Sequence, residues 1–182
     1  MINQLYIING SAGVGKDSFV RAYSMNTPVV NYSSIALVKK IGALCGIDPN
    51  DKCEENRKWW SDMKIFLTRN GDIPFKDVVK KIEWANARPD LVSVFIHIRE
   101  SYDIRKLKEK YPNVITLLVK NNRVEQITSN AGDADVFNYD YDIEVFNHGS
   151  IDDLNIAAEA LYKYVEENGS AEPQFFCDNR NR

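Results

Sequence analysis

Apolar positions along the chain fall into two kinds of run, and the two kinds alternate. Leu5-Tyr6-Ile7-Ile8, Val29-Val30-Asn31-Tyr32, Leu91 to Ile98, Val114 to Val119 and Tyr141 to Phe146 are short runs rich in β-branched and aromatic residues. Runs of this length and composition predict strands. Leu91 to Ile98 is apolar on both faces except at Ser93 and His97, the pattern of a central parallel strand. Between the strands, helical spacing takes over. It predicts helices over Lys16 to Tyr23, with Phe19, Val20 and Tyr23 on one side, and behind a Ser33-Ser34 cap, through Ile35, Val38, Ile41 and Leu44 or Cys45. Further helices are expected from Glu54 to about Arg69, from Pro74 to about Ala87 and from Tyr102 to Tyr111. Arg123 to Ser129 reads as a short helix and Asn130 to Asn138 as a polar loop. The capping-box pattern Ser150-Ile151-Asp152-Asp153 opens a last helix to about Glu167. The order β-α-β-α-α-α-β-α-β-α-β-α predicts an α/β fold in three layers, a five-stranded, mainly parallel sheet with helices on both faces.

The chain has 182 residues, enough for one core without staples. A single domain is expected over 1–168, with a helical insertion at about 50–88 and a loose polar tail over 169–182. Apolar residues make up 44% and charged residues 27%, which excludes wholesale disorder. Lys and Arg number 23 against 26 Asp and Glu, so neither nucleic acid nor an anionic membrane is an expected partner. No apolar run approaches the length of a membrane span, and the first residues do not form a secretory leader. Cys45, Cys53 and Cys177 are odd in number and form no CxxC pair, so they read as reduced thiols of a cytoplasmic protein.

The most informative segment is Gly10-Ser11-Ala12-Gly13-Val14-Gly15-Lys16-Asp17-Ser18. It has the GxxxxGK spacing, follows an expected strand and opens an expected helix. Glycines there let successive backbone N–H groups converge, and the helix N-terminus adds partial positive charge, so the loop favours phosphate. Lys16 would follow the β and γ phosphates of a nucleotide. Asp17 stands where Ser or Thr is usual. It is suited to hold Mg2+, to orient an acceptor, or simply to sit in the first turn of a helix. Arg99 lies at the carboxyl end of the expected central strand, where ligands bind in open α/β sheets. Its fork suits a phosphate or a structural ion pair.

The chain resembles the P-loop kinases that phosphorylate small metabolites, nearest to the deoxynucleoside monophosphate kinases of phages and their bacterial relatives. Three stretches carry the likeness: Gly15-Lys16-Asp17-Ser18; His97-Ile98-Arg99-Glu100-Ser101-Tyr102-Asp103-Ile104; and Tyr141 to Ser150 with its Asn147-His148-Gly149-Ser150 turn. The resemblance implies ATP and Mg2+, with Lys16, Asp17, Arg99 and Arg123 in catalytic roles. It also implies base contact at Asn147, Gly149 and Ser150, where Ser150 equally serves as a helix cap. The acceptor side falls on Ser33, Ser34, Lys39, Arg57, Trp59, Trp60, Lys64 and Arg69, with Arg57 and Lys64 two turns apart as a shared phosphate face. Lys120 to Asp135 takes the place of a lid, in which Asp133 and Asp135 either bind metal or solvate the loop. His97 departs from the family, since an acidic residue normally ends that strand, and Glu100 is the candidate replacement at the metal. The function implied is phosphoryl transfer from ATP to a nucleoside monophosphate or nucleoside, by a monomer or homodimer. The alternative is a nucleotide-binding regulator or slow ATPase. A GTPase switch lacks its base-reading motif, because Val119-Lys120-Asn121-Asn122 is no NKxD.

Overall fold

A computed structural model describes residues 2–51, 53–88, 90, 92–124, 134–168 and 174–176. Most of the expected helix over Arg123 to Ser129, together with Asp133 and Cys177, lies outside the described residues. The strands are β1 (Ile2–Asn9), β2 (Val29–Ser33), β3 (Val92–His97), β4 (Ile115–Lys120), β5 (Ile143–Phe146) and β6 (Gln174–Phe176). The helices are α1 (Lys16–Tyr23), α2 (Ala36–Leu44), α3 (Glu54–Arg69), α4 (Ile73–Asn86), α5 (Ser101–Lys110) and α6 (Ile151–Asn168). A 3-10 turn spans Asp135–Phe137.

Every strand pairing is parallel, and the strand order is β2-β3-β1-β4-β5-β6. The five expected strands are all present. β6 is an addition from the stretch read as a tail: three residues, two of them aromatic, pair along β5. So short a run carries no periodicity, and its cause lies in the open backbone edge of β5 rather than in its own sequence.

Side chains alternate across β1. Leu5 and Ile7 pack with α4 (Val78, Ile82, Ala85) and α5 (Ile104, Leu107) on one face. Tyr6 and Ile8 pack with α1 (Phe19, Val20, Tyr23) and α6 (Leu154, Ala157, Ala158, Leu161) on the other. That period of two, covered on both faces, is why the strand reads as a continuous apolar run.

Local signals hold at two helix starts and fail at one. Pro74 sits in the first turn of α4. Ser150 and Asp153 exchange side chain and backbone at α6: Asp153 N donates to Ser150 Oγ at 3.0 Å and Ser150 N to Asp153 Oδ2 at 3.4 Å. The expected Ser33-Ser34 cap is displaced. Ser33 ends β2, opposite His97, and Ser34 N donates to His97 O at 2.9 Å. Sheet pairing therefore holds Ser33 extended, Ser34 lies in the turn that follows, and α2 begins only at Ala36, after Ile35.

The topology fixes where a ligand binds. From β1 the chain runs through α1 to β2, beyond β3 on one side. From β3 it crosses through α5 to β4, on the other side of β1. Connections thus leave neighbouring strands in opposite directions, and a crevice opens between the carboxyl ends of β1 and β3. Ile8 pairs with His97 there. The Gly10–Lys16 loop and the His97–Glu100 segment form its two lips.

Candidate active site at the carboxyl ends of the strands

The phosphate loop is shaped by backbone that only glycine adopts readily. Gly10 has φ 141° and Gly15, just before α1, φ 103°. A Cβ on Gly10 would run into the Val119 carbonyl, and one on Gly15 would lie 2.7 Å from Asn147 Nδ2. Lys16 folds back over the loop, its Nζ donating to Gly10 O at 2.6 Å and Ser11 O at 2.7 Å. Asn147 braces the loop from β5. Its Nδ2 donates to Val14 O at 2.9 Å, its Oδ1 accepts from Gly149 N at 2.8 Å, and its own N–H donates to Lys120 O at 2.8 Å. The amide expected beside a base is thus occupied with holding the loop. Gly15→Ala combines a left-handed backbone with displacement of that brace, and is expected to lower stability by about 2–3 kcal/mol. Urea denaturation reads it; an unchanged midpoint would contradict the close approach of Asn147.

The second lip carries His97 and Arg99. His97 is 16% exposed. Its Nε2 lies 2.7 Å from Asn31 Oδ1 on β2 and 3.7 Å from the Asp17 carboxylate. Burial pushes its pKa from 6.5 down to about 4; Asp17 opposes this, and Lys16 and Arg99 add to it. His97 is therefore neutral near pH 7. The folded-state pKa lies below the unfolded one, so the unfolded chain takes up this proton first. Stability is present above pH 6.5 and is lost as the pH falls toward 4. His97→Gln is expected to remove about 2 kcal/mol of the stability difference between pH 7 and pH 5. Denaturation curves at the two pH values check it; equal slopes in both proteins would contradict a buried neutral imidazole.

The acceptor-side residues divide. Ser33 Oγ accepts from Ile35 N at 3.4 Å, a turn contact beside the crevice. On α3, Arg57 and Trp59 are half-buried and Trp60 is buried. The edge of the Trp59 ring lies over Gly42 of α2, and Lys39 Nζ sits 4.7 Å from the Trp60 ring centroid. Both indoles thus pack toward α2. Lys64 is 9% exposed and pairs with Glu100, just before α5, and with Asp103 at 3.2 Å. Burial raises the Asp103 carboxyl, with Lys64 opposing and Glu100 adding. Two sequence candidates, Lys64 for a phosphate and Glu100 for a metal, are therefore engaged with each other.

On the other side of the loop, Lys120, Asn121, Asn122, Arg123, Phe146, Asn147 and His148 line a cleft of about 140 Å3. The Arg123 guanidinium lies against the Gly149 backbone at this cleft. Asp135, read as a solvating or metal-binding residue, caps α5: its Oδ2 accepts from Ser101 N at 2.6 Å. Among the described residues no three His, Cys, Asp or Glu side chains group as a metal site. Asp17, 88% exposed beside Lys16, is the carboxylate whose chemistry suits Mg2+, since that ion keeps waters and substrate phosphates as most of its ligands. No described helix is long and apolar enough to cross a membrane.

Sequence reasoning missed Asn9, Asn31, Asp103 and Tyr141. Asn9 left a signal, as a polar residue closing a buried strand directly before the first loop glycine, and Asp103 and Tyr141 fell within the stretches quoted for the likeness without a role of their own.

No protein-family model matches the chain, and no curated protein matches it in sequence. Among solved structures it is similar to a sugar kinase from Janibacter sp. at 15% identity, covering 90% of this chain and 94% of that one, with a TM-score of 0.47. It is similar to shikimate kinase from Aquifex aeolicus at 11% identity, covering 91% and 98%, with a TM-score of 0.46. A third match, the signal recognition particle receptor FtsY from Elizabethkingia anophelis, has 13% identity, 85% and 54% coverage and a TM-score of 0.44. Likeness at this level carries no activity across. The parallel strand order and the loop at its switch point give the chain the phosphate-loop α/β fold, and its chemistry rests on its own residues.

Proposed function

We propose that the chain transfers the γ-phosphoryl of Mg-ATP to a small metabolite, a nucleoside monophosphate or a nucleoside. The observation that carries this reading is the placement at the mouth of the β1–β3 crevice: Lys16 lies folded over the phosphate loop, the Asp17 carboxylate 3.7 Å from His97 Nε2 on the facing lip, and Arg99 two residues beyond His97. Loop N–H groups and the start of α1 bind the donor phosphates. Lys16 exchanges the Gly10 and Ser11 carbonyls for phosphate oxygens. Arg99, on the opposite lip, offsets charge on the transferring group. Mg2+, held through Asp17, supplies further charge neutralisation when bound. His97 contributes a neutral hydrogen-bonding ring.

The donor base takes the cleft beside Arg123, Phe146 and His148. The acceptor lies between the end of β2 and α3, near Ser33, Arg57 and Trp59, under the insertion at about 50–88. The exposed Cys45 and Cys53 thiols fit a reducing, cytoplasmic setting.

ADP release with Mg-ATP is measured against a panel of nucleosides, nucleoside monophosphates and coenzyme precursors. Acceptor-dependent release supports the reading. The neutral His97 and the Lys64–Glu100 pair favour a second one, a nucleotide-binding regulator or slow ATPase. Tight ATP binding with no acceptor-dependent release would select it.

A further inference from the structure

Asn9 ends β1 and is 1% exposed, so its amide finds its partners within the protein. Its Oδ1 accepts from Gly10 N at 2.8 Å. Its Nδ2 donates to Arg99 O at 3.2 Å and to the Tyr141 hydroxyl at 2.6 Å. The Tyr141 hydroxyl then donates to Val136 O at 2.8 Å. Backbone N–H groups only donate and carbonyls only accept, so both the amide orientation and the direction of the hydroxyl follow from their partners. One buried amide thus joins the first residue of the phosphate loop to the backbone of Arg99 on the opposite lip. Tyr141 holds that amide in place. Gly10 also supplies one of the two carbonyls that hold Lys16, so the setting of its peptide bears on the lysine.

We infer that Asn9 and Tyr141 are positioning residues, which hold the Gly10 peptide of the phosphate loop and the Arg99 strand end at one fixed spacing and so tune the loop to the donor phosphates. The inference rests on the phosphoryl-transfer reading above. Removing the Tyr141 hydroxyl keeps the ring and its edge contact with Tyr139, with centroids 5.1 Å apart, but leaves the buried Asn9 amide one acceptor short. The amide can then turn, and Gly10 N–H loses its fixed partner. Tyr141→Phe is the milder variant, because Asn9→Ala would strand Gly10 N–H and Arg99 O as well.

Mg-ADP is titrated calorimetrically into the wild type, Tyr141→Phe, Lys16→Ala and Tyr32→Phe, and exchange of the Gly10 amide with solvent is followed by NMR. Tyr32→Phe is the control. It removes a hydroxyl bond of the same kind, to Asp77 at 2.7 Å, away from the loop. Tyr141→Phe is expected to weaken Mg-ADP by about five- to tenfold and to speed Gly10 exchange; Tyr32→Phe is expected to do neither beyond about twofold. Wild-type binding that is lost in Lys16→Ala but unchanged in Tyr141→Phe overturns this inference alone, as does equal weakening in Tyr32→Phe. A wild type that does not bind Mg-ADP overturns the phosphoryl-transfer reading and the inference with it.

Discussion

Lys16→Ala is expected to cut acceptor-dependent phosphoryl transfer by about 10²–10³-fold while leaving the fold in place. The lysine is the one cation built into the phosphate loop, and it is stored on that loop's own carbonyls, Gly10 O and Ser11 O. Its removal takes a charge from the developing transition state, where each tenfold of rate corresponds to about 1.4 kcal/mol. Lys16 bonds two loop carbonyls, but the loop is also held by Asn147 and by Asn9 Oδ1 on Gly10 N, and neither of those contacts involves Lys16. Rate and stability should therefore separate. Turnover at saturating Mg-ATP and thermal melting of the same preparation check this. A fall of less than about tenfold, or a collapse of the melt that accounts for the loss, would contradict a catalytic role.

Lys64→Met is expected to lower stability by about 3–5 kcal/mol, the largest effect on stability expected here. Lys64 carries a buried charge across from α3 to the start of α5. The pair itself adds little net stability, since burying three charges costs nearly what their attraction returns. Removing the cation alone leaves Glu100 and Asp103 facing each other, partly buried and uncompensated. Glu100 keeps a third of its side chain in solvent, which places the loss toward the lower end of that range. Adding Asp103→Asn to Lys64→Met should restore part of the stability, because one of the two stranded carboxylates is gone. Urea denaturation at pH 7 of both variants checks it. A Lys64→Met protein as stable as the wild type would contradict the buried ion pair.

What was legible in the chain follows from what is local. The β1 run, the α1 face of Phe19, Val20 and Tyr23, Pro74 at the start of α4 and the Ser150–Asp153 exchange are all decided within a few residues. They read correctly from spacing alone. The Gly10–Lys16 loop was legible for the same reason, its geometry being demanded by a short motif. The Ser33-Ser34 cap misled because the pairing of Ser33 with His97 outweighed a local preference. β6 was invisible because three residues have no period, and its partner strand lies far back in the chain.

Within the site, the contacts that matter most join distant positions. His97 meets Asn31 across 66 residues, and Asn9 meets Tyr141 across 132. Lys64 was recognisable as a cation on a helix, but its acidic partners depend on how α3 lies against α5. A single sequence supplies the residue types for such contacts and not the pairing.

The most direct measurement follows the γ-phosphoryl itself. ATP labelled in that group is incubated with Mg2+, the protein and each member of the acceptor panel, and the label is located after separation. Label on a nucleoside monophosphate or nucleoside, absent with Lys16→Ala, is the result expected for the crevice between β1 and β3. Label that stays in ATP, or appears only as inorganic phosphate whatever acceptor is supplied, would contradict phosphoryl transfer to a metabolite.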